Sequence, residues 1–442
     1  MAIVPGRCGT PVERRPLNRG ESRMAGTVLL IGTLDTKADE LAYVRDLILD
    51  RGHRVLLVDA GVLGDPSVVP DITAEEVARA GGSSLAELRA RGDRGAAVEA
   101  MIAGLERVAV TRFARGEFDG VLGLGGGGGT ALATAAMRSL PIGVPKLMVS
   151  TMASGDTSPY VAGKDITMMY SVVDIAGLNP VSRRVLANAV GAVCGMIEQE
   201  RPPAEDRPLI AATMFGVTTP CVDAVRRRLE DAGYGVIVFH ATGSGGRAME
   251  TLIEEGWFVA VADVTTTEWC DEVVGGVLSA GPDRLSAAGR AGLPQVVSVG
   301  ALDMVNFGAL DTVPDAFRDR NLYRHNPSVT LMRTTPDECA EIARRIATKL
   351  ADARGPTTLV LPLRGVSTID AEGQPFHDPA ANEALFDGLE AALPPSVGIV
   401  KLDAHINDPE FAEALAGRLL DLLRDQGEAP RGSPGGTPNA LH

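Results

Sequence analysis

Along the chain, short aliphatic runs alternate with longer stretches in which apolar residues recur every third or fourth position. TVLLIG, RVLLVDAG, GVLGLGG and KLMVST occupy the first half, each followed by a segment with helical spacing. Further on the alternation resumes with LIAATMFG, GVIVFHA, FVAVADVT, QVVSVG, VTLMR, TLVLPL and GIVKLD, while DECAEIARRIATKLADA and DPEFAEALAGRLLDLLRD read as amphipathic helices. A strand that reaches its successor through a helix runs parallel to it, so each half predicts a parallel sheet with helices on both faces. The expected fold class is α/β: two Rossmann-like, doubly wound, mainly parallel-sheet subdomains.

The stretch EQERPPAEDRP, residues 198–208, breaks this pattern with charges and three prolines, as an interdomain linker does. It sets a boundary near Pro203. The expected organisation is a flexible tail over 1–23 with Met24 as a candidate start, one subdomain over 24–203, a second over 204–426, and a disordered Pro/Gly-rich tail over 427–442. An echo between DTKADELAYVRDLILDRGHRVLLVDAG and VTTPCVDAVRRRLEDAGYGVIVFHATG aligns Gly52 with Gly233 and Asp59 with His240. The shared physics of a strand–helix–strand unit accounts for it, and it supports similar folds only.

Composition narrows the class. A length of 442 residues exceeds one hydrophobic core, in agreement with two subdomains. Hydrophobic residues at 45% with aromatics at 4% suit aliphatic α/β layers better than a base-stacking surface. The net charge of −15, with 42 basic residues scattered among 57 acids, argues against a nucleic-acid partner. No run has the length of a membrane span or a signal-peptide core, so no membrane partner and a cytoplasmic location are expected. Cys8, Cys194, Cys221, Cys270 and Cys339 are far apart and read as reduced thiols.

The stretch GLGGGGGTALAT, residues 123–134, dispenses with side chains where a strand hands over to a helix. Gly123, Gly125 and Gly128 formally satisfy G-x-G-x-x-G. The next strand, however, ends in Ser150 and Thr151 rather than in an acid for a ribose, which disfavours NAD. Gly129 is followed by Thr130 and Ala131 and not by Lys-Ser or Lys-Thr, so the run is not a Walker loop. What remains is a turn formed by Gly125, Gly126, Gly127, Gly128, Gly129 and Thr130, whose amides and helix N-terminus suit an anion.

Ligands of open parallel sheets lie at the carboxyl ends of the strands, so other strand ends are candidates for the same crevice. GTLDTK supplies Thr33, Asp35, Thr36 and Lys37. The second strand ends at Asp59, and STMASGDTSPY contributes Ser150, Thr151, Gly155 and Asp156. Lys37 suits phosphate, and Asp35, Asp59 or Asp156 suits Mg²⁺ or a ribose; no metal-ligand set is defined. In the second half, His240 opens the glycine turn HATGSGG, Glu268 and Asp271 lie in ADVTTTEWCDE, His325 in LYRHNPS, Arg364 and Ser367 in LPLRGVSTID, and Asp403 and His405 in KLDAHIND. No nucleophile elbow, zincin helix or kinase signature is present.

These same stretches, with GTLDTKADEL, SLPIGVPKLMVSTMASGDTSPYVAGKDITMMYSVVDIAGLN, EWCDEVVGG and LPLRGVSTIDAEGQPFHDPAANEALF, resemble an uncharacterised family that supplies the ATP-binding domain of the tomato mosaic virus resistance protein. The resemblance runs from about residue 25 to residue 425. It implies two Rossmann-like subdomains, a homodimer and ATP in the N-terminal one, with nucleotide contacts at Gly125–Thr130, Thr33, Asp35 and the STMASGD turn. The expectation is an ATP-binding, Mg²⁺-dependent enzyme acting on a small anionic or carbonyl metabolite between two domains. In it Lys37 stabilises transferred charge, His240 or His325 exchanges protons, Glu268 is base or metal ligand, and Arg364 clamps a carboxylate or phosphate. A nucleotide-responsive binding protein without catalysis, and a lyase or hydrolase for a sugar phosphate or keto acid, are the alternatives.

Overall fold

The computed structural model describes residues 25–200 and 207–427. The expected tails, Cys8 and the boundary at Pro203 lie outside them. The described residues form two compact units. One runs to Met137 and takes in Val144–Gly155 and 167–200; the other comprises 138–143, 156–166 and 207–427. None of their helices is long and apolar enough to cross a membrane.

The first unit is built on five strands: β1 (Thr27–Gly32), β2 (Arg54–Asp59), β3 (Gly120–Gly125), β4 (Lys146–Ser150) and β5 (Thr167–Tyr170). They are all parallel and lie in the order β2-β1-β3-β4-β5. The aliphatic runs of β1, β3 and β4 are buried on both faces, as central strands of a doubly wound sheet must be. Leu34, Leu41, Val44 and Ile48 of helix Leu34–Asp50 pack on Val28, Leu30, Leu122 and Val149, joined by Leu186, Val190 and Val193 of helix Pro180–Glu198. In this order the chain leaves β1 towards one edge and β3 towards the other, so the connections diverge and open a crevice at their carboxyl ends.

The path from β2 to β3 carries three helices, Ala74–Ala80, Leu85–Arg91 and Arg94–Ala114. The first two begin in capping boxes, Thr73 with Glu76 and Ser84 with Glu87; the third is capped by Asp93, whose Oδ1 accepts from the N–H groups of Gly95 (2.9 Å) and Ala96 (3.2 Å).

The second unit contains β6 (Leu209–Met214), β7 (Gly235–His240), β8 (Ala260–Thr265), β9 (Gln295–Gly300), β10 (Met304–Phe307), β11 (Leu322–Asn326), β12 (Val329–Arg333), β13 (Thr357–Pro362) and β14 (Gly398–Leu402). Six form a parallel sheet in the order β14-β13-β9-β8-β6-β7. VTLMR, expected among the parallel strands, is β12 of a separate antiparallel sheet, β10-β12-β11. Its partner LYRHN is polar and largely exposed, so no aliphatic run announces it. Two cores flank the main sheet, one around Val297, Val299, Ile342, Leu359 and Leu385, the other around Val225, Leu229, Val264, Leu415 and Leu419.

Candidate functional site

The crevice of the first unit is a cavity of about 430 Å³. One wall is the loop after β1. Asp59, buried at the end of β2, holds this loop: its Oδ1 accepts from the N–H groups of Leu34 (3.0 Å) and Gly61 (2.9 Å). Burial raises its carboxyl above the ordinary range. After Thr33 the chain makes a single tight turn, with the N–H groups of Thr36 (3.1 Å) and Lys37 (2.9 Å) both donating to the Thr33 carbonyl. At Lys37 the backbone leaves helical geometry (φ −131°, ψ 25°) before the helix continues. That break sets Asp35, Thr36 and Lys37 along the cavity. Asp35 Oδ2 accepts from the Leu63 N–H at 2.9 Å, whereas its Oδ1 is buried with no partner.

The glycine turn forms a second wall. Some of its glycines answer to packing: a Cβ on Gly123 would stand 2.6 Å from that of Ala133, and one on Gly125 would stand 2.8 Å from the Gly129 Cα. Gly126, Gly127 and Gly128 differ. A Cβ there would meet single atoms at 3.7 Å (Thr151 Oγ1), 3.9 Å (Met152 Sδ) and 3.9 Å (an Arg94 guanidinium nitrogen), and none of the three has a left-handed backbone. Neither packing nor conformation within the protein requires glycine at these positions. Helix Gly127–Arg138 begins here, so the N–H groups of Gly127, Gly128 and Gly129 are first-turn donors with no intrahelical acceptor.

The structure brings Thr33, Asp35, Thr36 and Lys37 together with Gly125, Gly126, Gly127, Gly128 and Gly129 as cavity lining. Thr130 and Ser150 are placed differently. Both are fully buried and bonded to each other at 2.6 Å, with Thr130 Oγ1 donating to the Gly126 carbonyl and Ser150 Oγ accepting from the Met152 N–H, so they brace the turn from behind. Thr151 stands beside Gly126 without lining the cavity, and Gly155 lies on an exposed loop. Asp156 belongs to the other unit, where its exposed carboxylate accepts from Ser158 and is held below its usual range by those bonds.

The third wall was not anticipated. Arg89 and Arg94 line the cavity together with Leu88, Ala97, Val98 and Met101 of the helices between β2 and β3. Arg89 fastens the loop after β2, its Nε donating to the Val62 carbonyl (2.7 Å) and an Nη to that of Gly64 (3.0 Å). Arg94, beside Gly128, and Lys37, on the loop after β1, make no ion pair among the described residues, which leaves two cations of the cavity lining uncommitted. The signal was in the sequence: RARGDR, residues 89–94, gathers three arginines around a Gly-Asp turn.

In the second unit, the glycine turn after β7 resembles the first in sequence and differs in cause. Gly243 has φ +80°, a Cβ on Gly245 would stand 1.9 Å from the His240 carbonyl oxygen, and one on Gly246 would stand 2.3 Å from a Glu268 carboxylate oxygen. Glu268 Oε1 accepts from the N–H groups of Gly243 (2.7 Å) and Gly246 (3.1 Å), while Oε2 accepts from Arg284 Nε (2.6 Å). The structure places Glu268, expected as base or metal ligand, fully buried as the turn's internal anion, in a network in which Arg284 also meets Asp263 and Glu250. His240 is exposed above this turn, and His325 is exposed on the β11–β12 hairpin. Arg364 lines a separate groove of about 300 Å³ with His377, Glu383, Asp387 and Lys401. Of the four residues expected to be catalytic, Glu268 is buried against the turn that His240 opens, while His325 and Arg364 lie on the β11–β12 hairpin and in that groove.

The switch point of this second sheet, between β6 and β8, is filled by the protein itself. The Val217 carbonyl after β6 accepts from Thr368 N–H (3.1 Å), Thr368 Oγ1 (2.8 Å) and Asn407 Nδ2 (3.0 Å), so the loops after β13 and β14 close over it. Val217, Ala301, Met304, Leu331 and Phe376 pack as a buried cluster there. Among the described residues, no group of three or more His, Cys, Asp or Glu is arranged to hold a metal ion.

Comparison with known proteins adds to this geometry. Residues 26–202 match the N-terminal domain model, and residues 207–423 the C-terminal domain model, of an uncharacterised protein family, UPF0261. A UPF0261 protein of Clostridium tetani is 51% identical over 399 residues, covering 90% of this chain and 98% of that protein. The tomato (Solanum lycopersicum) ToMV resistance protein Tm-1(GCR237) is 40% identical over 423 residues, covering 89% of this chain and 55% of the tomato protein. Among solved structures, the UDP-N-acetylglucosamine 2-epimerase of Rickettsia bellii covers 91% of the chain at 10% identity with a TM-score of 0.22, too slight a likeness to bear on fold or function. With both domain models matched in order and relatives aligned over nine-tenths of its length, the chain belongs to the UPF0261 family.

Proposed function

We propose that the first unit binds an ATP-type nucleotide, its phosphates on the N–H groups of Gly127, Gly128 and Gly129 and its charge met by Lys37 and Arg94. The observation that carries this reading is that the protein does not need glycine for itself at Gly126, Gly127 and Gly128: their absent side chains leave the first-turn amides open to a phosphate. Magnesium would arrive with the phosphates, and Asp35 Oδ1, buried and unpartnered, fits an oxygen ligand for it. The mostly aliphatic third wall suits a nucleoside better than the polyhydroxylated body of a sugar phosphate.

In this reading the chain's own groups hold and orient the phosphates and neutralise their charge. An ATP-dependent reaction on a small anionic or carbonyl metabolite is the enzymatic form of the proposal, and a nucleotide-responsive binding protein is its non-catalytic form. Calorimetric titration with Mg·ATP decides the binding claim. Micromolar binding to the native protein, abolished in Gly127→Val with folding unchanged, is expected; equal binding by both proteins, or tighter binding of sugar phosphates, overturns it. Phosphate release during prolonged incubation then separates the two forms.

A further inference from the structure

Helix Arg94–Ala114 presents Arg94, Ala97, Val98 and Met101 on one face of the cavity, a cation beside Gly128 followed by an aliphatic stripe along the next two turns. Leu88 and Leu63 extend the stripe across the mouth, and Leu63 is 86% exposed although it lines the cavity. The aliphatic side chains among them offer a ligand contact area and no hydrogen bond. Backbone groups commonly read the edge of a base, but many here are engaged. In the loop after β2 the N–H of Ala60 donates to the Gly32 carbonyl, that of Gly61 to Asp59 and that of Leu63 to Asp35, while the carbonyls of Val62 and Gly64 accept from Arg89. The backbone of helix Arg94–Ala114 is closed in its own hydrogen bonds beyond the first turn. Thr33 and Thr36 are bonded to each other at 2.8 Å. Lys37, Arg94 and Asp35 Oδ1 belong to the phosphate and magnesium half of the ligand.

We infer that the site selects its ligand by the phosphate chain and by a flat apolar body, not by the hydrogen-bonding edge of the base, so that adenine, guanine, cytosine and uracil nucleotides bind alike. This rests on the nucleotide reading above. Asp93, also on the lining, accepts from the first-turn N–H groups of Gly95 and Ala96; physically, a wall of aliphatic side chains gains only contact area from a base, and the four bases differ little in that.

The experiment is titration of the full chain, with magnesium, by ATP, GTP, CTP, UTP and inorganic tripolyphosphate. The four nucleotides are expected to agree within about fivefold and tripolyphosphate to bind at least about tenfold more weakly, since it lacks the body that meets the aliphatic wall. Val98→Ala, a mild change on a half-buried helix position, should weaken all four nucleotides by roughly the same factor, up to about tenfold, and leave tripolyphosphate unchanged. A preference for ATP of about 100-fold or more over GTP and UTP overturns the inference while the nucleotide reading stands, because only edge hydrogen bonds discriminate so strongly. Tripolyphosphate as tight as ATP also overturns it. Absence of binding by all five overturns the inference and the nucleotide reading together.

Discussion

At the scale of single residues, two glycine turns that look alike in sequence have opposite explanations. A Cβ on Gly127 would meet only Met152 Sδ, at an ordinary 3.9 Å, so Gly127→Val should leave the melting temperature of the ligand-free protein within a degree or two while removing nucleotide binding. Gly246 has none, because Glu268 fills the place; Gly246→Ala should cost roughly 2 to 4 kcal/mol, read as a lower denaturant midpoint. A destabilised Gly127→Val, or an unaffected Gly246→Ala, would reverse the assignment. The same logic applies to Glu268→Gln, which leaves Arg284 with less compensating charge inside the protein and should destabilise by about 3 kcal/mol in chemical denaturation. GGGGG and HATGSGG both read as anion turns from local sequence, since each sets glycines at the start of a helix. That the second supplies its own, from a carboxylate 22 residues beyond Gly246 across the fold, is a tertiary fact that local sequence does not carry.

At the scale of elements, the aliphatic runs of the parallel strands were legible because burial on both faces leaves no alternation to confuse them, as in GVLGLG and KLMVS. The strand TMMY at the edge of the first sheet and the polar LYRHN were not, since partly exposed edge strands need no such run. The loop after β1 and the glycine turn could be placed at one crevice because both follow the carboxyl ends of parallel strands. The helical wall could not: Arg94, Ala97, Val98 and Met101 at helical spacing read as an ordinary amphipathic face until the fold shows that this face borders a cavity. The orientation of that wall depends on its capped start. Asp93→Ala removes the acceptor for two first-turn N–H groups and should cost about 1 kcal/mol of stability and weaken nucleotide binding several-fold, measured by thermal melting and titration on one preparation. Unchanged binding would detach the helix from the site.

At the scale of the whole molecule, buried carboxyls make stability depend on pH. Burial raises Asp271 from an ordinary 3.8 to about 7, against the opposing effect of the hydrogen bonds it accepts from Asn306 and Leu278. Asp303 and Asp370 are raised for the same reason, with mutual repulsion adding to the effect on Asp303. Between about pH 4 and pH 7 the unfolded chain has lost the Asp271 proton while the folded chain keeps it, so this group's contribution falls as pH rises and is constant above pH 7. Asp271→Asn cannot ionise, and its stability relative to the native protein should therefore improve by up to roughly 3 kcal/mol from pH 5 to pH 8, measured by urea unfolding. Parallel profiles for the two proteins would show that Asp271 titrates normally.

The most direct test of the central claim is the crystal structure of the protein grown with Mg·ATP. Phosphate oxygens within about 3.2 Å of the N–H groups of Gly127, Gly128 and Gly129, with Lys37 and Arg94 closed onto them and the base against Val98 and Met101, are the expected result. Nucleotide bound elsewhere, or a glycine turn left empty at saturating ATP, would contradict it.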